Sequence, residues 1–150
     1  MSLRKESEIS GHAGAIYSCL THGNHIYSGS ADKYVARWLI DQGIQDKFAI
    51  RFEQSVYALE MMEESILVVG LADGSLHFFD LVANKELKYF VQHKKGIFSI
   101  KYNSIHKQIY VGDADGNLSI WNFLSSLRLI MLIAQKGFWL KRPLRIMNVH

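Results

Sequence analysis

Thiols, prolines and long apolar runs are nearly missing from this sequence. Its single cysteine, Cys19, cannot close an intramolecular disulfide and supplies no paired thiolates for a metal. That excludes a disulfide-stapled scaffold and makes a reducing, cytoplasmic setting the expectation. The single proline, Pro143, leaves everything before it free of the residue that interrupts β-ladders. The apolar run from Leu129 to Ala134 falls far short of the roughly 20 residues of a membrane-spanning helix, and the opening MSLRKESEIS has no apolar stretch of signal-peptide type. A soluble, unsecreted protein is expected. Acid is missing from one end: all 14 Asp and Glu lie at or before Asp115, with 12 Lys and Arg, whereas the last 35 residues carry five basic residues and no acidic one. The overall net charge of +3 therefore hides a basic tail.

What is present is apolar mass and repetition. With 49% apolar residues the chain of 150 can bury a core. Three segments align: IYSGSADKYVARW at 26–38, LVVGLADGSLHFF at 67–79 and IYVGDADGNLSIW at 109–121. Asp32, Asp73 and Asp115 recur at intervals of 41 and 42, as do Trp38, Phe79 and Trp121. Upstream of each lies AIYSCL, SVYALE or GIFSIK, in which Ile16, Val56 and Ile97 each precede an aromatic, Tyr17, Tyr57 or Phe98. The runs are short, β-branched and aromatic, with no sustained 3.6 periodicity, so each unit reads as strands and helical solenoids are disfavoured. The Ala-Asp-Gly-Ser and Ala-Asp-Gly-Asn stretches at 72–75 and 114–117 read as hairpin turns. Each unit then holds four strands, a to d, with strand d at Phe48 to Phe52, Leu87 to Val91 and Leu129 to Ile133.

A four-stranded unit of about 40 residues that opens on Gly11-His12, carries Ser28-Gly29-Ser30-Ala31-Asp32 in its middle and closes strand c on Trp38 resembles a WD40 repeat. The resemblance implies an all-β fold of β-propeller blades: three four-stranded antiparallel blades plus a partial fourth, forming an open arc or a fragment of a larger ring. The expected boundaries are 1–10 for an N-terminal outer strand or leader, 11–52, 53–91 and 92–133 for three blades, and 134–150 for a partial fourth blade or irregular tail. The fourth blade would begin at Lys136-Gly137-Phe138-Trp139. The resemblance also implies a structural tetrad in blade 1, with the Trp38 indole on Ser28, Ser28 on His12 and His12 on Asp32. For blade 3 it implies His93, Asp115 and Trp121, with Val111 where the serine stands in blade 1. Blade 2 has Gln54, Val69, Asp73 and Phe79 at these places, which suggests apolar rather than networked closure.

Candidate chemistries fall short of their requirements. His22 and His25 have an H-x-x-H spacing without the four N or S ligands of a structural zinc site. Asp113, Asp115 and Asn117 imitate the start of a calcium loop, but Leu118 and Leu124 stand where its glycine and glutamate belong. No metal and no cofactor are expected. Ser28, His12 and Asp32 superficially form a nucleophilic triad, yet a serine that spends its hydroxyl inside a blade is no nucleophile. Lys94-Lys95-Gly96 lacks a phosphate-cradle pattern, and no enzymatic activity is expected.

The reading is a non-catalytic scaffold that binds a protein or peptide. Its candidate partner face gathers the starts of strand a and the residues before the turn aspartates: Ala15, Tyr17, Ala31, Ser55, Tyr57, Ala72, Gly96, Phe98 and Ala114. For the aromatics the plainer reading is packing between blades. Lys141, Arg142 and Arg145 offer an alternative, anionic-ligand binding by the tail, but the charges are sparse and nucleic acid and membrane are disfavoured as partners. A third reading is an inert fragment of a longer propeller. Open blade edges in an incomplete ring invite self-association.

Overall fold

A computed structural model describes residues 1–123, and the expected strand d at Leu129 to Ile133, the start of the fourth blade and the basic tail lie outside them. Every regular element described is a strand. Blade 1 comprises β1 (Ile16–His22), β2 (His25–Ser30), β3 (Tyr34–Leu39) and β4 (Ile44–Arg51). Blade 2 comprises β5 (Val56–Met62), β6 (Ile66–Leu71), β7 (Ser75–Asp80) and β8 (Lys85–Val91). Blade 3 contributes β9 (Ile97–Asn103), β10 (Gln108–Asp113) and β11 (Leu118–Asn122). In each sheet the strands pair antiparallel in sequence order, so every connection is a hairpin.

Two expectations need adjustment. Strand d of blade 1 starts earlier than expected, at Ile44, and ends at Arg51, which puts Phe52 beyond it. Residues 1–10 form no strand, and only Ile9 among them is partly covered. Their charges answer each other locally, Arg4 with Glu6 and Lys5 with Glu8. Nothing in that segment offers the alternating apolar face that would hold an outer strand to a blade.

The core is the space between blades. On β6, Leu67, Val69 and Leu71 join Tyr27, Val35 and Phe52 of blade 1 in one apolar cluster. Its alternate residues, Ile66 and Val68, join Ile97, Ile100, Ile109, Val111 and Trp121 of blade 3 in another. Period-2 alternation thus sends successive side chains to opposite neighbours, and a strand covered on both faces reads as the continuous run ILVVGL. Each blade accordingly has a leading face, toward the preceding blade, and a trailing face, toward the next. Glycine is required where the leading face of one blade meets the strand b of another: a Cβ on Gly29 would collide with Val56, and one on Gly70 would lie 2.6 Å from Ile97 Cγ2.

Candidate functional site

The b–c turns are tied to the start of strand a by a repeated backbone bond. Ala31, Ala72 and Ala114 donate their N–H groups to the carbonyls of Ala15, Ser55 and Gly96, at 2.8, 3.0 and 2.9 Å. This tie brings the histidine that precedes strand a to the turn carboxylate. In blade 1, His12 Nδ1 lies 2.8 Å from Asp32 Oδ2, His12 Nε2 lies 2.7 Å from Ser28 Oγ, and Trp38 Nε1 donates to the same Oγ at 2.7 Å. The network is consistent with an Nδ1–H tautomer, in which the donors run in one direction, Trp38 to Ser28 to His12 to Asp32. Burial works against the Asp32 carboxylate, but His12 and the N–H groups of Tyr34 and Ala13 outweigh it and hold its pKa below the usual value.

Blade 3 builds the same relay from other residues. Its carboxylate is Asp113, not Asp115: His93 Nδ1 lies 2.7 Å from Asp113 Oδ2. Asp113 ends β10 at the register of Ser30, where it also accepts from the N–H groups of Asp115 and Asn117 and from the Asn117 amide. Already fixed at the strand end within reach of His93, it leaves Asp115 exposed in the turn. His93 and then Asn117 hold the Asp113 pKa far below the ordinary carboxylate range. The missing serine of strand b is replaced across the ladder. Ser119 pairs with Val111 as Ala36 pairs with Ser28, and its Oγ lies 2.8 Å from both His93 Nε2 and Trp121 Nε1.

Blade 2 departs from both. Counting from the start of strand a, the residue at the place of His12 and His93 is Phe52, not Gln54, and it is buried. Val69 and Phe79 belong to the same apolar cluster, so this part of the blade closes on packing as expected. A polar network exists nevertheless, carried by strand c: Asp73 accepts from the Ser75 hydroxyl, Ser75 Oγ lies 3.0 Å from His77 Nε2, and His77 Nδ1 meets Glu86. The His77 ring lies between Phe52 and Tyr89, with 5.2 Å to each centroid. Among the described residues no buried side-chain nitrogen or oxygen lacks a partner. These groups are spent on one another, as buried polar groups in a rigid frame must be.

The aromatics of strand a behave differently. In every blade the strand a–b ladder contains a bulge, between Ile16 and Ser18, between Val56 and Ala58, and where Gly112 and Asp113 meet Ser99 and Ile97. The extra residue is Tyr17, Tyr57 or Phe98. A bulge turns its unpaired residue out of the regular alternation, and the three rings form a line across the blade boundaries. Tyr17 meets Tyr57 edge-on at 5.0 Å, and Tyr57 stacks on Phe98 at 4.8 Å. Packing between blades is thus part of their role, but Tyr17 remains 52% and Phe98 58% exposed, whereas Ile97 beside Phe98 is fully buried. Of the other candidate face positions, Ala15 and Ala114 are exposed, Ala31 and Ala72 half-buried, and Ser55 is turned to the Ala31 carbonyl. Gly96 does not belong to an accessible face: it is buried, and an added Cβ would sit 2.8 Å from the Tyr57 ring. The bulge escaped the sequence reading, although Gly29, Gly70 and Gly112, each opposite a bulge inside strand b, are the signal that marks one.

At the opposite ends of the strands, His22 and His25 do not converge. His22 lies 3.9 Å from Glu64 and His25 4.0 Å from Asp46, and among the described residues no three His, Cys, Asp or Glu side chains group as metal ligands. Blades 2 and 3 are clamped there by Glu63, which pairs with Lys107 at 2.6 Å and with the Tyr102 hydroxyl. Lys107 and then Tyr102 hold the Glu63 pKa down.

The sequence profile of the WD40 family, described as WD domain, G-beta repeat, matches residues 3–38 and 84–122. The chain is a WD40-repeat protein. The stretch between the two matches, 39–83, takes in strand d of blade 1 and strands a to c of blade 2, where Phe52 and Phe79 stand in place of the histidine and tryptophan of the relay. No curated protein matches the sequence significantly. Among solved structures, this WD40 chain is similar to the computationally designed Ika4 protein, with a TM-score of 0.65 and 25% identity over 77% of this chain and 70% of that one. It is similar also to the RRP9 WD40 repeats and to U3-55K, each with a TM-score of 0.69 and 16% identity over 76% of this chain. The chain spans only 37% and 38% of those two, and at that identity they speak for the fold alone. WD40 repeats are generally scaffolds for protein interaction, and the open arc of blades is consistent with part of a propeller.

Proposed function

We propose that this WD40 chain is a non-catalytic scaffold that binds a protein or peptide segment along the line of Tyr17, Tyr57 and Phe98. The observation that carries the reading is the repeated bulge, which gives each blade one aromatic out of the ladder and sets three such rings side by side. Aromatic rings held by a rigid backbone provide contact area at little entropic cost, and they are the side chains most enriched where binding energy concentrates. The relays of blades 1 and 3 fix the turns on which Ala31 and Ala114 lie, and the Asp73–Ser75–His77 network holds that of Ala72, so a partner meets a preformed edge.

A displayed peptide library panned on the intact chain tests this. Enriched sequences are expected to lose at least about tenfold in affinity, roughly 1.4 kcal/mol, on Tyr17→Ser or Phe98→Ser, and to keep their affinity when salt is raised to about 0.5 M, where exposed charge attraction is screened. Binding that ignores both substitutions and disappears in salt would point instead to the basic tail.

A further inference from the structure

The two internal interfaces of this protein are made by the same device. The first residue of strand a, Val56 or Ile97, is fully buried against the strand-b glycine of the preceding blade, Gly29 or Gly70. Beside each glycine a strand-c residue completes the seat, Val35 across from Gly29 and Leu76 across from Gly70, and both are buried. A hydrogen bond joins blades 1 and 2 nearby, where Ser18 Oγ accepts from the Leu59 N–H at 3.1 Å.

Both halves of this device occur once more, each without its complement among the described residues. Ile16 holds the register of Val56 and Ile97 but is 53% exposed on the leading face of blade 1. Gly112 holds the register of Gly29 and Gly70 on the trailing face of blade 3, and a Cβ built on it meets nothing closer than Ser99 Cβ at 3.6 Å. Across from it Leu118, which corresponds to Val35 and Leu76, is 69% exposed. Ser99 corresponds to Ser18 and makes no side-chain hydrogen bond among the described residues. Cys19 has the register of Leu59, whose N–H leaves the sheet toward the neighbouring blade.

We infer that the leading face of blade 1 docks on the trailing face of blade 3 in a second copy of this chain, with Ile16 seated over Gly112 against Leu118. The contact continues the register of the two internal interfaces, and Ser99 Oγ then accepts from the Cys19 N–H of the other copy. It is a heterologous contact, since knob and seat lie at opposite ends of one molecule, and such contacts close into rings when the rotation permits. Two copies that make this contact at both of their open faces close on each other as a dimer. The inference stands apart from the aromatic edge, which uses other side chains.

Light scattering and sedimentation of the full chain over a wide concentration range test it. The wild-type chain is expected to be a dimer, and Ile16→Glu and Gly112→Val are expected each to be monomeric. Neither substitution strains the protomer: Ile16 is exposed, and Gly112 has room for a Cβ. Circular dichroism and cooperative unfolding verify that the variants remain folded. Leu118→Glu, at an exposed position, blocks the same seat should Gly112→Val not fold. An equimolar mixture of the Ile16→Glu and Gly112→Val chains retains one intact knob and one intact seat, and it is expected to associate again. A wild-type chain that is monomeric throughout overturns the inference, as does association that survives both substitutions. Loss in Ile16→Glu with retention in Gly112→Val and Leu118→Glu overturns it too, because the blade 1 face would then meet itself. A mixture that stays monomeric has the same force.

Discussion

Blades 1 and 3 reach one hydrogen-bonded relay with the hydroxyl on different strands. In blade 1 it comes from Ser28 on β2, and in blade 3 from Ser119 on β11, its partner position across the ladder. The neighbours explain the difference. Val111, which holds the register of Ser28, is fully buried in the cluster between blades 2 and 3. Ser28 lies on the leading face of blade 1, which has no blade before it among the described residues. A strand-b position pressed against another blade gains from an aliphatic side chain, so the hydroxyl moves to strand c. What is fixed in these two blades is the place of an oxygen between an indole and an imidazole, not the residue that supplies it.

The largest effect should come from removing that oxygen. Ser28→Ala leaves the Trp38 indole N–H and His12 Nε2 without partners, and Ser119→Ala does the same to the Trp121 indole N–H and His93 Nε2. Each is expected to cost about 1–3 kcal/mol per stranded group, read as a lower midpoint in chemical denaturation, and a Ser119→Ala chain as stable as wild type would show the blade 3 relay to be idle. Moving the oxygen comes next, and here the two blades should part. Ser28→Ala with Ala36→Ser copies the blade 3 arrangement into blade 1 and should recover most of the loss. Val111→Ser with Ser119→Ala copies blade 1 into blade 3 but removes a valine from the core, so it should remain about 1.5–3 kcal/mol below wild type. Equal recovery would sink the argument from neighbours.

The smallest effect is in acid. Both carboxylates have folded pKa values below their unfolded ones, so their stabilisation is complete above about pH 4 and fades as pH falls through the folded value. Asp113 is held down much further than Asp32. The indole N–H resonance of Trp38 should therefore leave its folded position at higher pH than that of Trp121 in an NMR titration. Coincident transitions would mean that the whole arc lets go at once.

Much of this was legible in the sequence, for physical reasons that also mark where legibility stops. The 41- and 42-residue spacing fixed strands a to c in register, because turn residues and closing aromatics are local signals. Strand b of blade 2 carries its two-sided burial in the sequence as an unbroken apolar run, a trace the periodicity reading left unused. The blade 1 relay was legible because Gly11-His12, Ser28, Asp32 and Trp38 all stand in their usual places. Ser119 was not, since an oxygen can be exchanged between paired strands without a trace in a one-dimensional alignment. Asp113 and Asp115 are two residues apart in one turn, and only the turn's own hydrogen bonds distinguish the one that faces His93. Phe52 was hidden because the apolar run before it assigned it to the end of strand d of blade 1. Nothing in MSLRKESEIS itself calls for a strand, and the outer strand offered there beside a leader came from the family resemblance alone.

The burial of β6 on both sides also says how the arc should come apart. Each end blade is held through one described interface, while Leu67, Val69 and Leu71 on one side and Ile66 and Val68 on the other engage the middle blade with both neighbours. In a linear array, stability is shared between adjacent units, and opening starts where a unit has fewest neighbours. Fraying should therefore travel inward from the ends, with the β6 amides the last to exchange with solvent. A destabilising change in β6 weakens both junctions, and its effect is felt in blades that carry no substitution.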